Sequence, residues 1–224
     1  MRALRLVNDL EEAGLHEDAV TYAKHGVVMD QRGWDTALAT FLVTDAFNRD
    51  DTERAVTIRR DWFTRFPTAT SFASLRHTAE QTGVWQQEQN AAEARLAEHD
   101  APGYTAYLLD ENRVDQAWEF ATAHTTSLLH LTLWLNLCDR HALNHPADTL
   151  PIYRHLVTDT LTITDKRNYK TAANILKALR TAATHAGPDA ATEFETFLAE
   201  TIDHNRRRPT CIDVFTRSGL IRRP

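Results

Sequence analysis

Cysteine is scarce in this chain: Cys138 and Cys211 are the only two among 224 residues, and they stand far apart. A disulfide-stapled secreted domain is much richer in cysteine, so no disulfide is expected and the usage fits a reducing, cytoplasmic setting. Glycine and proline are also few, seven of each, and they sit mostly where helices should start or stop. That excludes a low-complexity or linker-rich chain. No apolar run approaches the ~20 residues that a membrane-crossing helix needs. The most apolar stretch, SLLHLTLWLNL at residues 127–137, is interrupted by His130 and Asn136 and reads as the most buried helix. The opening MRALRLVNDLEEAG places Asp9, Glu11 and Glu12 where an export signal needs an apolar centre, so nothing marks the chain for secretion. Basic charge is outweighed as well: 25 Lys and Arg against 31 Asp and Glu leave a net charge of −6, which argues against a general affinity for phosphate backbones. Glycine-rich phosphate loops, H-E-x-x-H and G-x-S-x-G are all missing, and neither an enzyme nor a cofactor is expected.

What is present is helical periodicity, with apolar residues at three- and four-residue steps and almost no strand-like alternation. Ala3, Leu6, Val7 and Leu10 share one face before Gly14, and a second helix from about His16 aligns Ala19, Ala23 and Val27. The pattern returns 36 residues later as Ala39, Leu42, Val43 and Ala46, followed by Asp50, Ala55 and a stop at Pro67. A turn residue five positions before a small one recurs as Gly14 with Ala19, Asp50 with Ala55, Asn112 with Ala117 and Asn144 with Thr149. One helical hairpin per recurrence implies units that cannot bury their apolar faces alone and must stack on their neighbours.

Those spacings resemble the tetratricopeptide pattern, in which a small residue on the second helix of each hairpin lets the two helices approach closely. The likeness is clearest over residues 1–67. It weakens in the third unit, where Gly83 is followed by Glu88 in place of a small residue, and recovers at DQAWEFA (Asp115 to Ala121), which echoes DAVTYA at Asp18 to Ala23. The expected fold is all-α: a tetratricopeptide-like α-solenoid, a right-handed superhelix of antiparallel hairpins. About six degenerate hairpins would form one domain over residues 1–224, with residues 206–224 as its C-terminal cap. The last pair is expected at residues 168–185 and 190–205, parted by Gly187 and Pro188, with a short helix over 212–220.

A second likeness rests on HPADTLPIYRHL (His145 to Leu156), YKTAANILKAL (Tyr169 to Leu179) and the ending Arg206 to Thr210 with Gly219 and Leu220. Over roughly residues 100–224 these resemble the C-terminal helical region of bacterial SWIM zinc-finger family proteins. In that family the helical region follows a zinc finger of the form C-x-C, spacer, C-x-H, implicated in binding nucleic acid or protein. This sequence contains neither half of that motif, so no zinc ligand carries over. The resemblance then implies a fragment or a short relative without the finger.

Candidate chemistry is thin. Cys138, His141 and His145, with His130 upstream, have the spacing of metal ligands on one helical face. The turn at Asn144 to Pro146 should carry His145 off that face, leaving Cys138 a small buried hydrophobe and no metal site. Cys211 has no base that the sequence places beside it. The pairs Glu11 with Glu12 and Asp110 with Glu111 read as solvated surface beside turns. Of Trp34, Trp62, Trp85, Trp118 and Trp134, most should fill space between hairpins. The one local charge anomaly is the run Arg206, Arg207 and Arg208, joined by Arg217, Arg222 and Arg223. The run is the candidate partner-binding site, because a guanidinium pairs equally with phosphate and carboxylate. The expected function is a non-enzymatic interaction scaffold that binds a peptide or protein partner, with no membrane role. The alternative is an accessory region that assists nucleic-acid binding through its arginine-rich end.

Overall fold

The computed structural model describes residues 2–33, 36–124 and 131–221. Among them the chain forms thirteen helices and no strand. They are α1 (Arg2–Glu12), α2 (His16–Met29), α3 (Thr36–Asn48), α4 (Thr52–Arg65), α5 (Ala69–Gln81), α6 (Trp85–His99), α7 (Ala101–Asp110), α8 (Val114–Ala123), α9 (Leu131–His141), α10 (Pro146–Thr162), α11 (Lys166–Ala186), α12 (Pro188–His204) and α13 (Pro209–Arg217). The chain divides into two compact units, Met1–Tyr107 and Leu108–Pro224.

Local chemistry accounts for the hairpins. Gly14, Asp50, Gly83, Asn112 and Gly219 all adopt φ between 57° and 76°, the left-handed conformation that ends a helix. Each is followed by a residue whose N–H reaches back to a carbonyl five positions earlier: Leu15 to Leu10, Asp51 to Ala46, Val84 to Ala79, Arg113 to Leu108 and Leu220 to Phe215, at 2.8–3.0 Å. This closure satisfies carbonyls that the helix end leaves open and turns the chain back on itself. The small residues five positions on, Ala19, Ala55 and Ala117, are fully buried, as close helix approach requires. The recurrence at Asn144 differs. Asn144 is not left-handed, and its turn leads to His145, a non-helical residue at φ −130° and ψ 61° before Pro146 that opens α10. Thr149 is nevertheless fully buried, and its hydroxyl donates to the Pro146 carbonyl at 2.8 Å.

In the first unit each helix from α1 to α5 packs on its successor, and α1 also touches α3. Val7, Ala19, Val20, Ala23, Leu38 and Leu42 form its first core cluster. Gly26 allows the closest crossing there, since a Cβ would lie 2.5 Å from Leu38 Cδ1. Glu88 stands where a small residue was expected, and its carboxylate accepts from Arg60 Nε at 2.9 Å and Nη2 at 2.7 Å. A bidentate ion pair tying α6 to α4 replaces the close contact of the other hairpins. Glu11, expected to be solvated, accepts from His16 at 2.7 Å.

The second unit is built around α11, which packs on α10, α12 and α13. Ala172, Ala173, Leu176, Leu179 and Ala183 are all at least 99% buried along it, a continuous stripe at helical spacing. The N-cap Asp165 starts the helix by accepting from Asn168 N–H at 2.7 Å, and Gly187 ends it. Of the tryptophans, Trp62 and Trp134 are buried and Trp85 and Trp118 half-buried, while Trp34 lies outside the described residues.

Arginines seal helix ends in both units. Arg65 donates to Val27 O, Arg95 to Thr64 O, Arg140 to Leu109 O and Arg208 to Leu161 O. Each acceptor belongs to the last turn of α2, α4, α7 or α10, where unpaired carbonyls and the negative end of the helix dipole favour a cation.

Candidate functional site

The arginine run sits between α12 and α13. Arg206 pairs with both carboxylate oxygens of Asp203 at 2.8 Å. Arg208 Nη1 donates to Leu161 O and to Asn205 Oδ1, both at 2.9 Å, and the buried Asn205 in turn donates to Thr201 O at 2.8 Å. Arg207 alone of the three is exposed with no partner among the described residues. Arg217 pairs with Asp213 at 3.0 Å, and Arg222 and Arg223 lie outside the described residues. Beside Arg208 a pocket of about 380 Å³ opens between the C-terminal turns of α10 and α12, with Val157 and Leu161 beside Thr162, Thr201 and His204. The run is therefore not one continuous cationic surface: one member is neutralised and one serves as a structural seal.

The histidine grouping is rearranged relative to its sequence reading. Cys138 is fully buried and its thiol is pushed up to about 12 by burial, with Asp139 adding to the effect; such a thiol stays protonated near neutral pH. His141 is also buried. Its ring stacks on Trp118 at 4.3 Å and 6° and on His145 at 4.8 Å and 26°. The turn after α9 therefore returns His145 to His141 instead of carrying it away. Asp115 Oδ1 lies 3.4 Å from His141 Nδ1 and 3.8 Å from His145 Nε2, and Asp148 Oδ2 lies 3.5 Å from His141 Nε2. Among the described residues no group of three His, Cys, Asp or Glu side chains is arranged to hold a metal ion. His130 lies outside them. Cys211 is buried too, with its thiol pKa raised by burial.

A third place was missed at the level of sequence. On the first unit a shallow, wide-open groove of about 590 Å³ lies over one face of α5, lined by Ala69, Thr70, Ala73, Ser74 and His77 and bordered by Arg59 of α4. Those α5 positions share one helical face over about 12 Å, the length of three to four extended residues. Apart from the half-buried Ser74 the α5 wall is exposed, and its side chains are short, so main chain could approach closely. Arg59 Nη2 donates to the Thr40 hydroxyl of α3 at 3.2 Å. The signal was available: the residues three and four positions from Arg59 along α4 are Ala55, Val56, Trp62 and Phe63, all buried. An arginine on the apolar side of its helix has its stem in the core and its head at the seam with the next helix.

No helix among the described residues is long and apolar enough to cross a membrane. No protein-family model matches the chain, and no curated protein matches its sequence.

Proposed function

We propose that the chain is a non-enzymatic interaction scaffold of the cytoplasm, an α-solenoid of tetratricopeptide-like hairpins that holds an extended peptide of a partner protein along α5. The open groove on that helix carries the reading. Its small residues Ala69, Ala73 and Ser74 let main chain approach closely, and its length matches a few extended residues. Support for the solenoid arrangement comes from the repeated left-handed helix ends, from the buried alanines five positions beyond three of them, and from the serial packing of α1 to α6. Function in such a fold resides in a few surface residues rather than in the architecture.

The nucleic-acid reading, in which the chain acts as an accessory of a SWIM-type finger, has one favouring observation, the exposed and unpaired Arg207. A single free guanidinium gives little counterion release. Affinity capture with the full chain as bait, washed at low and high salt with and without nuclease, separates the two. The scaffold reading expects a discrete protein partner that survives salt and nuclease and is retained by the Arg206→Ala, Arg207→Ala, Arg208→Ala variant. Recovery of nucleic acid alone, lost with salt and in that variant, would replace it by the accessory reading.

A further inference from the structure

We infer that the α5 groove selects a peptide bearing an acidic side chain, whose carboxylate pairs with the Arg59 guanidinium. The inference rests on the peptide-scaffold reading and adds the chemistry of the ligand. Its basis is a half-buried cation that no carboxylate among the described residues compensates. Other arginines of the first unit that lie against neighbouring helices are answered within the protein: Arg60 faces Glu88, and Arg65 and Arg95 reach helix-end carbonyls. An exposed guanidinium needs no such answer because water supplies it. Arg59 is half-buried, and among the described residues its solvent-shielded Nε has no acceptor and its one hydrogen bond goes to a neutral hydroxyl. Burial depresses its pKa. Other arginines with a shielded Nε, such as Arg154, have their heads on a carboxylate or a carbonyl. A desolvated charge held without a counter-ion is costly unless a ligand supplies one.

The chemistry of that counter-ion follows from the surroundings. The Thr40 and Ser74 hydroxyls already donate to Thr36 O and Thr70 O, which leaves the guanidinium as the charged donor of the groove beside the Thr70 hydroxyl and the His77 ring; its planar fork matches a carboxylate. No lysine or second arginine lines the groove. One positive charge balances a carboxylate, whereas a phosphate dianion would bring excess negative charge to a chain whose net charge is already −6. The small residues flanking Arg59 leave room for the main chain on either side of the acidic residue, which makes an internal Asp or Glu a better fit than a free ion.

The test is selection from a displayed library of randomised twelve-residue peptides with both ends blocked, against the full chain and its Arg59→Gln variant. The enriched peptides are then synthesised and their binding measured with and without their acidic residue converted to the amide. The expected result is enrichment of Asp or Glu at one fixed position. Amide conversion and Arg59→Gln each weaken binding by about tenfold, and the two together weaken it no further than either alone. Arg59→Lys recovers only part, lacking the fork. Thermal melting of Arg59→Gln no lower than that of the parent shows that the loss is one of binding. Should it melt lower, Thr70→Glu gives an independent route, because a carboxylate built into the groove satisfies Arg59 internally and blocks the acidic peptides. Enriched peptides without an acid that bind Arg59→Gln equally well overturn the inference and leave the scaffold standing, whereas no enrichment at all overturns both. Competition by inorganic phosphate at concentrations where acetate has no effect would mark a phosphate site and overturn the carboxylate assignment.

Discussion

His16 ties the first two helices to the third and makes the stability of the first unit dependent on pH. Its Nδ1 lies 2.7 Å from Glu11 Oε1 and its Nε2 lies 2.8 Å from Asp45 Oδ1. Both ring nitrogens face carboxylates, so both must donate, and only the imidazolium has two N–H groups. Asp45 is buried on α3, and its Oδ1 also accepts from Arg49 Nε at 2.7 Å; Arg49 in turn reaches Glu17 on α2 at 2.8 Å. The hydrogen bond to Asp45, then that to Glu11, raises the His16 pKa above its ordinary value. Burial works to raise the Asp45 carboxyl, but the bonds from Arg49 and His16 outweigh it and hold that pKa down. Deprotonation of His16 leaves one of its two carboxylates facing a lone pair. A charge-assisted bond contributes about 1.5–3 kcal/mol, and the 42% exposure of the ring reduces that to about 1 kcal/mol. Because the folded-state pKa is the higher one, the contribution is complete below the unfolded value of about 6.5 and disappears as pH rises through the folded value. Urea unfolding of the parent and of His16→Gln at pH values from 6 to 9 measures it. The stability difference between the two should shrink by about 1 kcal/mol across that range, or about 2–4 °C in melting temperature. A difference that stays flat with pH, or grows, would refute the doubly donating imidazolium.

Four further outcomes follow from other parts of the structure. A double-mutant cycle on Arg60→Ala and Glu88→Ala should give a coupling of about 1 kcal/mol from chemical denaturation, since Glu88 is only 16% exposed, and high salt should reduce but not abolish it; zero coupling would mean that the bidentate pair does not form. Asp50→Gly should be neutral or stabilise by up to about 1 kcal/mol, because it relieves a left-handed non-glycine. Asn112→Gly should destabilise despite the same relief, since Asn112 Oδ1 accepts from Arg140 at 2.7 Å, and equal effects from the two would contradict the hydrogen bond. Cys138 and Cys211 should both resist an aromatic disulfide reagent at pH 8 in the native protein and both react in denaturant; rapid native labelling of either would show that its burial is wrong.

Helices and hairpin turns were legible in the sequence wherever their cause is local. Gly14, Asp50, Gly83 and Asn112 announce the ends of their helices through backbone conformation, and α11 and α12 appear within a few residues of where apolar periodicity placed them. Interactions between distant positions were not legible. Glu88 looked like a defect in the repeat because its partner Arg60 lies 28 residues away. The run Arg206, Arg207 and Arg208 looked uniform, yet Arg208 is occupied by a carbonyl 47 residues earlier. His145 was expected to leave His141, and the stacking of the two rings depends on the path of the turn between α9 and α10. The half-buried Arg59 could have been noticed from its apolar helical neighbours, but the absence of a counter-charge among the described residues is a property of the assembled helices.

The arginine seals give the chain a direction in time. Val27, Thr64, Leu109 and Leu161 offer their carbonyls to side chains that lie 38, 31, 31 and 47 residues downstream. As the polypeptide is made from its N-terminus, each helix finishes before the residue that closes its end exists. Each of these four helix ends therefore stays open to water until roughly one more hairpin has been synthesised. Assembly proceeds as a series of delayed latches, each fastened by the segment that follows.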